Sequence, residues 1–286
     1  FDKEILVDKV SRKEIEVEKA VFDEGLKLKD VIYGIDVKEQ ALRIYDEGYA
    51  KVDGIGVPDL DDKFKPKRGE ITVLTGIGNY GKSSFKKWYQ AMRIMLYGEK
   101  FATFSPEDNP PEEYYHDFVE IILGCDCSPA NPHRPSKQVY EYVYDLVCKH
   151  IFYVYPKDVS PTPQYVMEVF LELIVKENVD GVDIDPFNQL TNEYQKFQRS
   201  DKYLEWVLSV FSRFSQINNI FFWIIAHPTK MQKAADGNYP CPDVFDLTDG
   251  TSNKVFNKIC LTIPLAYLIA SVVSPNWMVV ASDGYL

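Results

Sequence analysis

The chain has 286 residues, 45% of them hydrophobic and 14% aromatic, with 26% charged and a formal net charge of −11. That is ample apolar material for a large buried core, and the balance excludes a disordered chain. The acidic excess excludes a generally basic nucleic-acid coat, while leaving room for a local basic lining.

Five cysteines at irregular spacing suit a reducing compartment. Cys125, Cys127, Cys148 and His150 lack the usual zinc-finger spacing and read as ordinary core or loop residues. The most apolar run, Ile259 to Val273, contains Pro264 and falls short of the roughly 20 residues a membrane span needs, so it reads as core. No secretion signal is legible, and a cytoplasmic location without a membrane is expected.

Residues 1–32 are rich in lysine and glutamate and read as an exposed segment. In residues 35–49, Val37, Ala41, Leu42 and Tyr45 fall near helical spacing, and Gly48 ends the pattern. Such a stripe has to be buried on something, whether its own domain or a neighbouring subunit. Residues 51–69 are turn-rich and lead into a core. This divides the chain into an N-terminal segment (1–32), a linker helix with its lead-in (33–65) and a catalytic domain (66–286).

From Glu70 onward the pattern alternates. Strands are expected at 71–75, 101–104, 151–155, 179–184, 220–226 and 258–263. Helices are expected at 82–97, 111–123, 137–149, 162–177 and 201–216, with a proline-rich loop at 128–135. Continuous apolar strands alternating with helices predict an α/β fold, with a mainly parallel sheet covered by helices on both faces.

The segment GIGNYGKS, residues 76–83, matches the phosphate-binding pattern G-x-x-x-x-G-K-[ST] in full, between a predicted strand and a predicted helix. Glycines 76, 78 and 81 let the backbone wrap with its N–H groups inward, and the helix start adds a positive dipole end. The cradle comprises Gly76, Gly78, Asn79, Tyr80, Gly81, Lys82, Ser83 and Ser84. Lys82 would reach the β- and γ-phosphates, and the Ser83 hydroxyl would ligate Mg2+. Of the two nearby aromatics, Tyr80 is a candidate to stack on a base and Trp88 reads as core.

Hydrolysis of a nucleoside triphosphate also needs a metal-orienting carboxylate and a group that activates water. In this architecture ligands meet the carboxyl ends of the strands, and three of those ends carry polar residues. Asp185 closes the strand 179–184 and suits the metal. Asp183 shares its face two residues earlier, and two such carboxylates repel unless a cation or proton intervenes. Asp183 would either assist Asp185 or sit near the sheet edge. Glu107 follows the strand 101–104 and is the general-base candidate, with Asp108, Glu112 and Glu113 as competitors. His227 follows the strand 220–226, beside the expected γ-phosphate.

These segments together resemble the RecA-like motor of ring-shaped replicative helicases, in particular the Twinkle and phage primase-helicase branch. The matching text is RGEITVLTGIGNYGKSSF, FSPED, DGVDIDPFNQL, IIAHPTKM and DLTDGTSNKVFNK, within residues 33–263. The resemblance implies a RecA-like P-loop NTPase core preceded by a linker helix that docks on the adjacent subunit. It implies ATP or dTTP with Mg2+ as cofactors, and Glu107, Lys82, Asp185 and His227 as the catalytic set, with His227 sensing the γ-phosphate. Lys230, Lys233, Asn253, Lys254 and Lys258 would face single-stranded DNA in the segment lining a central channel. The implied partners are single-stranded DNA, further copies of the chain in a hexameric ring, and a primase or polymerase. A phage protein acting in its bacterial host fits the same branch.

The chain departs from that pattern at one place. No arginine follows Arg213, and from Ile259 to Leu286 the single charged residue is Asp283, so the late arginine finger of such rings is not legible. Lys258 is a candidate substitute. Neither a primase zinc motif nor a primase catalytic core is visible. Two other readings stay open: a RecA-like ATPase of recombinase or signalling type, and a catalytically weak nucleotide-binding subunit.

Overall fold

The computed structural model describes residues 31–49, 52–76, 81–191, 197 and 200–227. The chain divides into two compact units, residues 1–51 and 52–286.

In the first unit a 3-10 turn, Gly34–Val37, leads into helix α1, Lys38–Glu47. Gly48, at φ 80°, ends it and returns its N–H to the Ile44 carbonyl. No residue of α1 is buried, and Leu42, Ile44 and Tyr45 stand exposed.

The second unit is built on five parallel strands: β1 (Ile71–Thr75), β2 (Phe101–Phe104), β3 (Ile151–Val154), β4 (Gly181–Ile184) and β5 (Phe221–Ala226). Their order across the sheet is β1-β5-β4-β2-β3. A short helix α2 (Pro58–Asp61) precedes the sheet, and α3 (Lys82–Tyr97), α4 (Pro111–Leu123), α5 (Lys137–His150), α6 (Pro163–Glu177) and α7 (Ser200–Asn218) connect its strands.

Period-2 alternation decides which helices cover which face. Leu74, Phe101, Ile151, Phe221, Trp223 and Ile225 pack against α3, α4 and α5. Val73, Ala102, Phe104, Val182, Phe222 and Ile224 take the other face, with α6 and α7. The predicted fold class is therefore the observed one. The lead-in contributes to the first face: Ile55, Val57, Leu60 and Phe64 are buried there, and the Phe64 and Trp223 rings stand edge-to-face at 5.6 Å. Asp61 shapes this lead-in by accepting the N–H groups of Ile55, Gly56 and Val57 at 2.9, 2.9 and 3.1 Å.

Caps account for most helix bounds. α3 lies between Gly81 and Gly98, both left-handed. α4 opens on Pro111 and closes at left-handed Gly124. α6 starts where the Thr162 hydroxyl accepts the Tyr165 N–H at 3.2 Å. The predicted strand 258–263 lies outside the described residues. Among those described, no helix is long and apolar enough to cross a membrane.

Candidate nucleotide site

The polar residues singled out in the sequence sit at the carboxyl ends of four neighbouring strands. β1 ends at Thr75 and runs into the cradle. β5 lies beside it in register, with Ala226 paired to Thr75, so His227 stands level with Gly76. β4 follows, and directly after it comes Asp185, whose N–H extends the ladder to the Phe104 carbonyl at 2.9 Å. β2 is next and delivers the loop that carries Glu107. The strand of His227 thus separates the cradle strand from the strand of Asp185.

Of the cradle, Gly76 and Gly81 to Ser84 are described, while Gly78, Asn79 and Tyr80 lie outside the described residues. Gly81 is left-handed (φ 78°, ψ 21°) and serves as N-cap of α3 with no side-chain cap, which leaves the first-turn N–H groups for a ligand. Lys82 is buried, and its Nζ donates to the Gly76 carbonyl at 2.8 Å. Burial lowers its pKa, while the charges of Asp185 and then Glu107 act the other way. Their field places the three predicted groups in one electrostatic neighbourhood. Ser83 is half-buried in the first turn of α3, and Ser84 is exposed.

Glu107 is exposed and accepts a hydrogen bond from Gln189 Nε2 at 2.8 Å. Gln189 stands in the 3-10 turn just past Asp185, so one loop steadies the carboxylate of the next. Asp108, the nearest competitor for the base role, is committed elsewhere. It accepts from Ser105 Oγ at 2.7 Å and pairs with Lys87 Nζ at 3.2 Å. Lys87 also pairs with Asp117 at 2.8 Å, and the Tyr153 hydroxyl donates to the Asp108 carbonyl at 3.0 Å. These contacts fix the loop from two sides and leave Glu107 to face outward. Glu112 and Glu113 are exposed in the first turn of α4.

Beneath the site lies a buried polar cluster. Asp183 and Lys86 are both 0% exposed and meet at 2.7 Å. Asp183 also accepts from Thr103 Oγ1 and, at 2.8 Å, from Gln90 Nε2. Lys86 Nζ stands 3.0 Å from Asp185 Oδ2. Burial raises the Asp183 pKa, opposed by Lys86, Thr103 and Gln90. For Lys86 burial works against the charge, but Asp183 and Asp185 outweigh it and raise its pKa well above the usual lysine value. Asp183 therefore sits mid-strand in an interior strand, not near a sheet edge, and the cation between the two carboxylates is a lysine of α3. Sequence reasoning missed Lys86. Its signal was the spacing, since a residue four after Lys82 shares the sheet-facing side of the helix.

Two buried oxygens at this end of the sheet, Thr75 Oγ1 and Asp185 Oδ2, have no hydrogen-bond partner among the described residues. Lys86 reaches Asp185 Oδ2 as a charge contact, with its directed hydrogen bonds going to Asp183 and Thr103. Hard oxygen donors beside a cationic phosphate cradle fit a hydrated Mg2+, which binds through one or two carboxylates plus phosphates and keeps several waters. Ser83 and Asp185 are the residues that would hold it.

No family model matches the chain. Over 234 residues it is 27% identical to the Twinkle homolog protein, chloroplastic/mitochondrial, of Arabidopsis thaliana, a match that takes in 75% of this chain and 31% of that protein. A solved ATPase domain superposes with a TM-score of 0.57 at 11% identity, covering 75% of this chain and 78% of that one. The chain is similar in sequence to a Twinkle homolog and shares the fold of a RecA-like ATPase domain. The resemblance read from the motifs is thereby borne out, although the chain spans only 31% of the Twinkle homolog's length. The RadB recombinase structure aligns with a TM-score of 0.41 at 16% identity, covering 64% of this chain and 73% of that one. Lys230, Lys233, Asn253, Lys254 and Lys258, expected on DNA, lie outside the described residues of this RecA-like chain.

Proposed function

We propose that the chain is the motor of a replicative DNA helicase, hydrolysing ATP or dTTP to move along single-stranded DNA and unwind duplex. One observation carries this reading: the cradle, His227, Asp185 and Glu107 stand at the carboxyl ends of four adjacent parallel strands. The sequence relationship to a Twinkle homolog supports the choice of helicase among RecA-like ATPases.

In this account Gly81 and the first turn of α3 hold the triphosphate by backbone N–H groups, and Lys82 neutralises its outer phosphates. Mg2+, when bound, would offset the charge that develops between the β- and γ-phosphates. Ser83 and Asp185 would hold and orient it. Glu107 takes a proton from the attacking water, with Gln189 setting its carboxylate. His227 contacts the γ-phosphate from the central strand and passes its presence or loss to residues 228–257, whose Lys230, Lys233, Asn253 and Lys254 grip the DNA backbone, with Lys258 nearby. The exposed apolar stripe of α1 supports docking on a second copy of the chain in a hexameric ring, with a primase or polymerase as further partner. Lys258 stands in for the arginine finger, and a phage protein at work in its bacterial host fits this account.

Forked-duplex unwinding tests it. The wild type should separate strands only with a hydrolysable triphosphate, and Lys82→Ala should separate none. Hydrolysis without unwinding, from an assembled protein, would instead make the chain a RecA-like ATPase of recombinase or signalling type.

A further inference from the structure

α3 sends two lysines toward the site. Lys82 faces the cradle, and Lys86, one turn on, enters the sheet beneath Asp185. A fully buried lysine is costly, and its retention depends on complete pairing. Here Asp183 supplies that pairing. It accepts Lys86 at 2.7 Å and also accepts from Thr103 Oγ1 and Gln90 Nε2, so both its oxygens are engaged. The Tyr114 ring closes the cluster, its centroid 5.7 Å from Lys86 Nζ.

The arrangement has a consequence for the metal. Lys86 alone beside Asp185 would cancel its charge and compete with a cation. With Asp183 present, one lysine faces two carboxylates, and the buried group keeps one net negative charge. The hydrogen bonds of Lys86 go to Asp183 and Thr103, which leaves Asp185 Oδ2 anchored by charge at 3.0 Å but without a donor. We propose that Asp183 is the counter-ion of Lys86 and keeps that lysine from neutralising Asp185, so that the charge balance of this buried pair sets how strongly the nucleotide site holds Mg2+. The proposal rests on the NTPase reading above and adds two residues to it.

The test is a Mg2+ titration of fluorescent ATP-analogue binding, with thermal melting of every variant alongside. Asp183→Asn leaves Lys86 with Asp185 as its one carboxylate, and the Mg2+ needed for half-maximal binding should rise about tenfold, as when the outer partners of a metal ligand are lost. The double variant K86M/D183N removes both charges together and should return within about threefold of the wild type, reversing the single variant's effect because the net charge beside Asp185 is restored. It also keeps the test open should Asp183→Asn alone fail to fold. A folded Asp183→Asn with the wild-type Mg2+ requirement would overturn the proposal, as would a folded double variant displaced about tenfold. A wild type that binds no Mg2+–nucleotide at all would overturn the NTPase reading itself, so the two failures are distinguishable.

Discussion

Lys82 is held in two ways, by its Gly76 hydrogen bond and by the opposed charges of Asp185 and Glu107. It packs against the loop and not in the apolar core, so Lys82→Ala should leave the circular dichroism spectrum unchanged while abolishing nucleotide binding in a fluorescence titration. Glu107 is a different case. Exposed and steadied by Gln189, it has no structural burden. Glu107→Gln should bind nucleotide like the wild type and turn over about 10²–10⁴-fold more slowly, the usual size of a general-base effect. Wild-type turnover from that variant would move the base role to another group. At this scale the sequence revealed the residues that end strands, because strand ends meet ligands. It did not reveal Lys86, because adjacent lysines in an amphipathic helix read as a solvated face until the sheet that receives one of them is known.

Among the elements, β4 is closely packed between β2 and β5 at Gly181. A Cβ on Gly181 would stand 2.7 Å from Phe101 Cδ1 and 3.1 Å from Phe221 Cβ. Gly181→Ala should therefore cost about 1–3 kcal/mol in urea unfolding, the usual range for overpacking. An unchanged midpoint would mean that the Phe101 ring yields freely. Several element bounds were legible, because α3 and α4 are framed by the glycines and prolines that the chemistry of helix ends demands. Others were not. The strand expected from Val179 begins at Gly181; just before it, the Asp180 carboxylate pairs with Arg68 at 2.8 Å and accepts the Lys100 N–H at 2.9 Å. The helix expected to stop at Lys149 runs on to His150 and passes directly into β3, with no loop residue to mark the change.

At the scale of the whole molecule, the aromatic content predicts a pH limit. Burial, with help from Asp108, pushes the Tyr153 hydroxyl up to about 12, and burial raises Tyr89 and Tyr114 as well. An unfolded tyrosine ionises near 10, to order of magnitude. Groups whose folded pKa lies above the unfolded one stabilise the fold fully below about pH 10, and that contribution is lost as pH rises toward about 12. The melting temperature should hold to about pH 9 and fall by about pH 11, less steeply in Tyr153→Phe. A flat profile through about pH 11 would contradict the burial of these hydroxyls.

The parallel sheet was legible from apolar runs alternating with amphipathic ones. The strand order was not, because adjacency depends on which crossover each helix makes. That order puts His227 between the cradle and Asp185, which is the arrangement the proposed relay to the segment beyond rests on. Turnover of ATP or dTTP with and without single-stranded DNA tests this coupling most directly, comparing the wild type with His227→Ala. The account predicts that DNA stimulates the wild type, and that His227→Ala still binds nucleotide but no longer responds to DNA. Turnover equally indifferent to DNA in both proteins would contradict it.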